Sequence, residues 1–202
     1  MKCAPSTFVK RSLLLCTVIM ISLSSKAQNY YHGIGAQMNY GIYNILYSNG
    51  SGTFTSQAGT IIPGAAYKGT YSFTDNDFLN IAVSGYPFLG LNISTSSQFG
   101  GSYQIGVELP LDLEIYLGNM EEGCFFIGGG WSFAFLSSNY FGGGPIIGPQ
   151  ANIGVQFPLR GRVTGIRLSM TTGINASKTD DPAITILSDK KSMITIGGYY
   201  LF

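Results

Sequence analysis

One stretch of the chain decides the fold: residues 103–117 read YQIGVELPLDLEIYL. Every odd position in it is apolar, and the even positions carry Gln, Gly, Glu, Pro, Asp, Glu and Tyr. This strict period of two indicates a β-strand with one apolar and one polar face. The strand exceeds the roughly 5–6 residues of an average soluble strand. It is long enough for a tilted strand that crosses a bilayer, which needs about 9–11 residues.

The same alternation recurs along the chain and predicts eight strands, approximately over residues 30–44, 62–73, 78–93, 103–117, 124–136, 145–159, 163–174 and 192–202. Five charged residues lie well inside these strands, all on the polar face: Lys68, Glu108, Asp112, Glu114 and Arg167. Chance would give this about once in 32 trials on a two-fold period. A Lys or Arg facing lipid at the bilayer midplane costs about 2–4 kcal/mol, and the pattern is what that penalty would select.

The first 27 residues are expected to be an export signal that precedes one domain, residues 28–202. Lys2, Lys10 and Arg11 give a basic start, and residues 13–23 form an apolar run. Small residues, Ser25 and Ala27, occupy the two positions that a signal peptidase reads for the expected cleavage after Ala27. The apolar run is too short for a membrane-spanning helix of about 20 residues. A lipoprotein cysteine at Cys16 is disfavoured because no small residue precedes it.

Charge is scarce in the chain. Only 10% of the residues are charged, against about a quarter in an ordinary globular domain. Residues 28–202 carry seven Lys or Arg and ten Asp or Glu, a net charge of −3, which excludes a basic nucleic-acid binder. A soluble β-protein would need a charged exterior. Here Gly, Ser, Thr, Asn and Gln fill the polar faces instead.

The connections between the strands alternate in length. Short ones are expected at residues 74–77, 118–123 and 160–162, and long ones at 45–61, 94–101, 137–144 and 175–191. A transmembrane barrel has short periplasmic turns and longer outer loops, so both termini are expected on the periplasmic side. Because proline removes a backbone donor, bulges or breaks are expected at the four prolines inside strands: Pro87, Pro110, Pro149 and Pro158.

The chain ends with TIGGYYLF, residues 195–202. This ending resembles the signal that the barrel-assembly machinery reads: Thr195 matches its polar position, Gly197 its glycine, Tyr200 its aromatic and Phe202 its terminal aromatic. With the strands above, the chain resembles the small eight-stranded outer-membrane β-barrels of Gram-negative bacteria. The resemblance implies an all-β, eight-stranded, antiparallel up-and-down transmembrane β-barrel behind a signal peptide. The assembly machinery and outer-membrane lipid are its implied partners.

Few residues carry recognisable chemistry. His32 is the only histidine and lies at the start of the first strand, so the outer-rim histidine of lipid-modifying barrels has no counterpart. Cys124 is the only cysteine after residue 27, which rules out an intrachain disulfide and makes a zinc site improbable. Three acidic residues of the last long loop could touch calcium but fit a solvated loop better: Asp180, Asp181 and Asp189. We expect no enzymatic activity, cofactor or metal.

The charged residues predict an ion cluster in the lumen. Counted at about 3.3 Å per residue from the periplasmic ends, Lys68, Asp112, Glu114 and Arg167 come out at similar heights. Arg167 is expected to bridge Asp112 or Glu114, with Lys68 balancing the remainder. Glu108 sits higher and is expected outside the cluster. Independent charges solvated by luminal water are the alternative.

The sequence therefore predicts an integral outer-membrane barrel with a non-enzymatic structural, surface-binding or narrow-pore role. Eight strands leave an interior just wide enough for side chains, so bulk conduction is not expected, and an extracellular ligand would bind the outer loops. The alternative is a soluble, lipocalin-like barrel that binds a small hydrophobic ligand. That alternative needs a charged exterior, which the polar faces lack.

Overall fold

The computed structural model describes residues 30–49, 51–74, 76–96, 100–136, 144–174 and 184–202. The expected signal peptide, residues 1–27, lies outside these ranges. The described residues form nine β-strands in antiparallel ladders: β1 Tyr30–Asn49, β2 Gly52–Ser72, β3 Leu79–Gly85, β4 Phe88–Ser96, β5 Gly100–Asn119, β6 Gly123–Leu136, β7 Gly144–Leu159, β8 Arg162–Gly173 and β9 Ile184–Leu201. Within the described ranges there is no helix long and apolar enough to span a membrane.

The nine strands form an eight-stranded barrel, because β3 and β4 are two halves of one interrupted strand. Each of the eight strands of the wall, with β3 and β4 counted as one, is called a stave below. Gly85 at the end of β3 lies opposite Leu111, and Phe88 at the start of β4 lies opposite Glu108. The register on β5 is the same on both sides of the interruption, so no residue is inserted. The predicted all-β, eight-stranded, up-and-down architecture is confirmed.

The sheet closes on itself through β1, which pairs with both β2 and β9. One continuous row of paired residues starts at Tyr31 and returns to β1 at Gly41, ten positions further along. The row crosses the barrel through Thr70, Ser84, Asp112, Gly130, Gln150, Thr171 and Met193. Closing a sheet requires such a stagger together with tilted strands.

The two faces of the wall are inverted relative to a soluble protein. The inner face carries the charged residues, and Lys68 and Arg167 are only 1% and 2% exposed. The outer face is apolar, with Leu111 62% exposed and Leu168 47%. The predicted orientation of all five charged residues follows from the period of two, since every second side chain points inward.

The two ends of the barrel differ. The terminal end holds Tyr30, Leu201 and the three short connections, including the two-residue turn at Arg160 and Gly161, where both residues have positive φ. This is the backbone of a type I′ turn, for which glycine is favoured. The other end is called the distal end below.

Three of the predicted long connections are wrong in extent. Of residues 94–101, residues 94–96 belong to β4 and pair with residues 100–102 of β5. Residues 45–61 are mostly strand, because the β1–β2 ladder runs to the pair Asn49 and Gly52. Residues 184–191 belong to β9, which stays paired with β1 up to Asn49. These segments lack the apolar alternation used to find strands, but they retain β-branched and aromatic residues that suit a sheet. Residues 137–143 and 175–183, with Asp180 and Asp181, lie outside the described ranges.

The expectation for the prolines is right at the interruption where Pro87 and Pro110 lie and wrong at Pro149 and Pro158. Pro87 lies in the interruption between β3 and β4, and Pro110 lies on β5 opposite that interruption. Pro149 and Pro158 lie within β7 without a change of register. In an antiparallel ladder each residue bonds only one neighbour, so a single missing donor removes one bond and leaves the flanking pairs intact. The pairing with β5 is interrupted where Pro87 and Pro110 lie close together.

We predict that the closed barrel survives in mild detergent and migrates differently on a gel before and after boiling. The reason is that every stave is hydrogen-bonded to both neighbours, so opening the ring must break a whole ladder. The measurement is electrophoretic mobility of the refolded protein with and without heating. Identical mobility in several mild detergents would contradict closure.

Candidate functional site

The lumen is the only place where the structure gathers charged side chains into a network within the described residues. The row of pairing that closes the barrel also aligns polar residues. Its inward members include Thr70, Ser84, Asp112, Gln150 and Thr171, with Gly130 between Asp112 and Gln150. Strand alternation therefore supplies the polar residues, and strand pairing places them side by side.

Arg167 and Asp112 form an ion pair at the centre of this network. Arg167 Nη2 donates to Asp112 Oδ2 over 2.7 Å, and both side chains are buried. Gln150 Nε2 donates to the same carboxylate, at 3.0 Å to Oδ2, and is itself held by Thr171. The guanidinium carbon of Arg167 lies 4.0 Å from the centre of the Tyr86 ring. The cation is thus held by one carboxylate and one aromatic face.

Glu114 is satisfied by hydroxyl groups. Ser84 Oγ donates to it over 2.5 Å, Tyr86 Oη over 3.1 Å, and Tyr116 Oη also donates. The described residues show no ion pair at this carboxylate. Neutral donors satisfy a buried charge provided that enough of them converge. We expected Arg167 to bridge either Asp112 or Glu114, and in the structure it pairs with Asp112.

Lys68 is held by aromatic residues. Its Nζ donates to Tyr199 Oη over 2.9 Å and to Tyr116 Oη over 3.1 Å. Four ring centres lie within 5.4 Å of the same nitrogen, those of Tyr199, Phe126, Tyr86 and Tyr116. The Tyr116 hydroxyl accepts from Lys68 and donates to Glu114. Lys68 therefore reaches the Glu114 carboxylate through this phenol and not by direct contact.

Glu108 lies apart from the other four charges and nearer the distal end. Gln37 and Asn39 each donate to its Oε2 over 2.8 Å, and Ser132 donates to Oε1 over 3.1 Å. Its separation from the remaining charges agrees with its higher position in the sequence count. All three donors are neutral, so this carboxylate forms its own small network.

Two apolar layers enclose the polar network along the barrel axis. The layer on the distal side contains Tyr43, Ile62, Phe88, Ala134, Leu136, Ile146 and Met193. The layer on the terminal side contains Ala82, Tyr86, Tyr116, Met120, Cys124, Phe126, Tyr199 and Leu201. The phenols of the second layer point their hydroxyls into the polar network. The charges therefore lie in a compartment with an apolar layer on each side.

Sequence reasoning missed the tyrosines of this network. Tyrosines near strand ends are typical of the aromatic girdles at a membrane surface, but Tyr43, Tyr86 and Tyr199 are buried inside the barrel. Their position on the inward parity of each strand was the available signal. Tyr30, Tyr40 and Tyr200 do lie on the outer face.

The four residues of the C-terminal signal divide between the two faces. Thr195 and Gly197 are on the inward parity of β9, and Tyr200 and Phe202 are exposed. A Cβ built on Gly197 would meet its nearest neighbour, the Ala36 carbonyl oxygen, at 3.4 Å, an ordinary contact. The folded barrel therefore tolerates alanine at this position. The proposed role of the four residues in assembly remains a prediction.

Phe202 also contacts β1. Its amide donates to the His32 carbonyl over 3.0 Å, and its ring meets the His32 ring edge-on at 4.9 Å. His32 stacks in turn on Tyr30 at 5.5 Å. His32 thus belongs to a group of aromatic rings on the outer surface of the wall at the terminal end.

The described residues contain no group of three or more His, Cys, Asp or Glu placed to hold a metal ion. Cys124 is buried, and its Sγ donates to Gln156 Oε1 over 3.2 Å. Asp189 lies 3.2 Å from Lys191 at the distal end.

A three-stranded sheet extends from the distal end. The last pair of β8 and β9 is Gly173 with Lys191, whereas β9, β1 and β2 remain paired through β1 residues 44–49. Tyr47 and Phe54 face each other across this extension with their rings stacked at 5.7 Å. Residues 45–61 carry no charge. This segment was expected to be a loop and is instead a paired extension of the wall.

No family model matches the chain, and no curated protein matches it. Solved structures that it resembles include Ail, the attachment invasion locus protein of Yersinia pestis, in complex with the heparin analogue sucrose octasulfate (16% identity, 85% of this chain and 99% of that one, TM-score 0.36). Others are Neisserial surface protein A (14% identity, 84% and 97%, TM-score 0.36) and the N-terminal β-barrel domain of Pseudomonas aeruginosa OprF (12% identity, 82% and 97%, TM-score 0.34). At these TM-scores the likeness carries no argument about function.

We predict that Arg167 couples to Asp112 and not to Glu114. Arg167→Met should cost about 3–5 kcal/mol in free energy of unfolding, because it leaves a buried carboxylate without its cation. In double-mutant cycles, Asp112→Asn should show coupling above about 1 kcal/mol, and Glu114→Gln should be additive within about 0.5 kcal/mol. Urea unfolding in detergent measures both. Additivity for both pairs would mean that the charges are independent.

We predict that deleting Phe202 reduces yield in cells more than it reduces stability of the refolded barrel. The deletion removes one rim contact with His32 but also the last residue of the expected assembly signal. The comparison is between outer-membrane yield and unfolding free energy in detergent. Gly197→Ala is the companion variant, since the folded structure accommodates it. Normal cellular yield of the truncated chain would refute the assignment.

Proposed function

We propose that the chain is an integral bacterial outer-membrane protein with a sealed lumen, whose distal end faces outward and binds an extracellular ligand. The observation that carries the membrane location is the inversion of the two faces. A closed ring of eight staves leaves no unpaired edge within the lipid, and the wall exposes large apolar side chains around it while burying five charges. Outer-membrane lipid and the barrel-assembly machinery are its proposed partners.

The sealed lumen is supported by the two apolar layers. An ion crossing the barrel would have to pass the layer around Phe88 and Leu136 and then the layer around Phe126 and Met120. Hydrophobic constrictions block ions because water leaves them. Between the layers, the carboxylates are already occupied by protein donors. We therefore favour a structural and surface-binding role over a narrow pore.

The soluble, lipocalin-like alternative is disfavoured by the contents of the lumen. A carrier of an apolar ligand needs an apolar cavity inside and a charged surface outside. Here the centre of the barrel holds Lys68, Arg167 and three carboxylates. Their side chains fill the space that such a ligand would need.

The orientation follows from the ends of the barrel. Outer-membrane barrels keep their short turns on the periplasmic side, which places Tyr30 and Phe202 there and the extended β9–β1–β2 sheet outside the cell. Binding surfaces are usually carried by such projections on a rigid scaffold. The β1 and β2 parts of this projection, within residues 45–61, are uncharged and carry hydroxyl, amide and aromatic groups, whereas the β9 part carries Asp189 and Lys190.

Fractionation tests the location, and planar-bilayer recording tests the seal. We predict that the native protein stays with the outer-membrane fraction and that the purified barrel gives no channel steps. Removing large side chains from one apolar layer should still give no channel steps; the variants are Phe88→Ala with Leu136→Ala for the distal layer and Phe126→Ala with Met120→Ala for the terminal layer. Combining all four substitutions should produce channel steps, because an ion must cross both layers in series.

Trp131→Ala with Phe133→Ala, on the outer face, is the matched control and should stay silent. Each variant must first show the gel shift of a folded barrel. Recovery of the native protein in the soluble fraction would refute the location. Regular channel steps from the unaltered barrel would refute the seal and leave the location standing.

A further inference from the structure

The wall of the barrel splits at its distal end between β2 and β4. The ladder between these strands covers only Gly64 to Ala66, opposite Gly90 to Phe88. Above it, residues 52–63 of β2 and 91–96 of β4 have no ladder partner toward each other among the described residues, although β2 remains paired with β1 and β4 with β5. Two open strand edges therefore face one another across a slot, which is called the distal slot below.

The sequence explains where the split begins. Gly64 and Gly90 make the last pair, and they are so close that a Cβ on Gly64 would lie 2.4 Å from the Gly90 Cα. The next residue of β2 is Pro63, which has no N–H to continue the ladder. Two residues further, Asn92 Nδ2 donates to the Ile61 carbonyl over 3.0 Å. At this point a side-chain amide thus takes the place of a backbone donor.

The apolar outer face of β2 ends a few residues above the start of the split. The outward side chains of β2 are apolar or aromatic at Tyr67, Pro63 and Ile61, and beyond Ile61 they are Gly59, Gln57, Thr55 and Thr53. Open sheet edges do not occur in the hydrocarbon of a bilayer, because each unsatisfied group costs several kcal/mol. At Ile61 the side-chain amide of Asn92 bonds the open carbonyl, and the part of the distal slot from Gly59 to Thr53 lies in water just beyond the lipid.

The backbone groups that line the slot follow from strand alternation. Tyr67 N–H and Phe73 N–H bond toward the β3–β4 stave, so the odd-numbered residues of β2 direct their N–H and C=O groups to that side. Thr53, Thr55, Gln57 and Gly59 consequently present theirs to the slot. The spacing is that of one edge of a β-ladder, with donors and acceptors in alternation.

The edge lacks the features that normally block strand addition. Exposed edges usually carry lysine, proline or an inward charge. Residues 52–62 contain none of these. We propose that the distal slot binds an extended, uncharged polypeptide segment of an extracellular partner by strand addition to β2. This rests on the proposed outward orientation and names the recognition mode of that surface.

A second copy of the chain does not fit the slot. Two barrels in one membrane share the same up–down orientation, and their strands are tilted about 35–45° from the barrel axis. Related by an axis along the membrane normal, their β2 strands would cross at a large angle and could not pair. A glycan presents hydroxyls without the regular repeat of the ladder. A peptide strand matches both the repeat and the neutral edge.

Amide hydrogen exchange of the refolded barrel in detergent tests the proposal. In the free barrel, the amides of Thr53, Thr55, Gln57 and Gly59 should exchange fast, while that of Thr60, which faces β1, is protected. The probe is a short acetylated and amidated peptide of alternating threonine and valine. Saturating peptide should slow the four amides by at least about tenfold and leave Thr60 unchanged.

Gln57→Pro is the decisive variant, because it removes one slot donor without touching the β1 ladder. It should abolish protection by the peptide, and Gln57→Ala should retain it. Equal protection in both variants, no protection in the unaltered barrel, or four amides already protected without peptide would each overturn the proposal. Gel shift and membrane fractionation are measured on the same samples, so failure of the slot is distinguishable from failure of the barrel or its location.

Discussion

Satisfaction of backbone hydrogen bonds within a closed ring is the constraint on which the structure depends. A strand that faces lipid has no water to bond, so each of its N–H and C=O groups must find a neighbouring strand. The chain meets this requirement by pairing β1 with both β2 and β9. The stagger of ten residues around the ring then fixes which side chains come close across the lumen, and five polar residues, Asp112 among them, fall into one row.

The narrow interior brings the inward side chains into direct contact. Eight staves leave room for side chains and little else, so each charge must be satisfied by its immediate neighbours. Arg167 has Asp112 and the Tyr86 ring, Lys68 has two phenols, and Glu108 has two amides and a hydroxyl. Most of these partners are neutral. The apolar layers on either side then separate the compartment from both ends, which makes the charges structural parts of the wall.

Proline marks the places where the ring is relaxed. Pro87 and Pro110 lie at one interruption, where Tyr86 enters the lumen and covers Arg167. Pro63 ends the β2–β4 ladder just below the level where the outer face of β2 turns from apolar to polar, between Ile61 and Gly59. At Ile61 the Asn92 amide replaces a backbone donor, and from Gly59 onward water satisfies the open edge. The wall is thus open where a partner can reach it.

Strand alternation alone predicts the number of staves, their two faces and the inward direction of all five charges, because a period of two is a local property of the chain. The turn residues likewise predict the short turns, whereas the prolines named the interruption at Pro87 together with two positions where the ladder continues. The partners of each charge depended on the tertiary structure, because the distance from Arg167 on β8 to Asp112 on β5 is set by register and stagger, which no single strand encodes. The buried tyrosines and the length of the distal sheet were decided in the same way. Aromatic residues serve equally as girdle or core, and a ladder continues beyond the alternating pattern wherever a neighbouring strand is present to hold it.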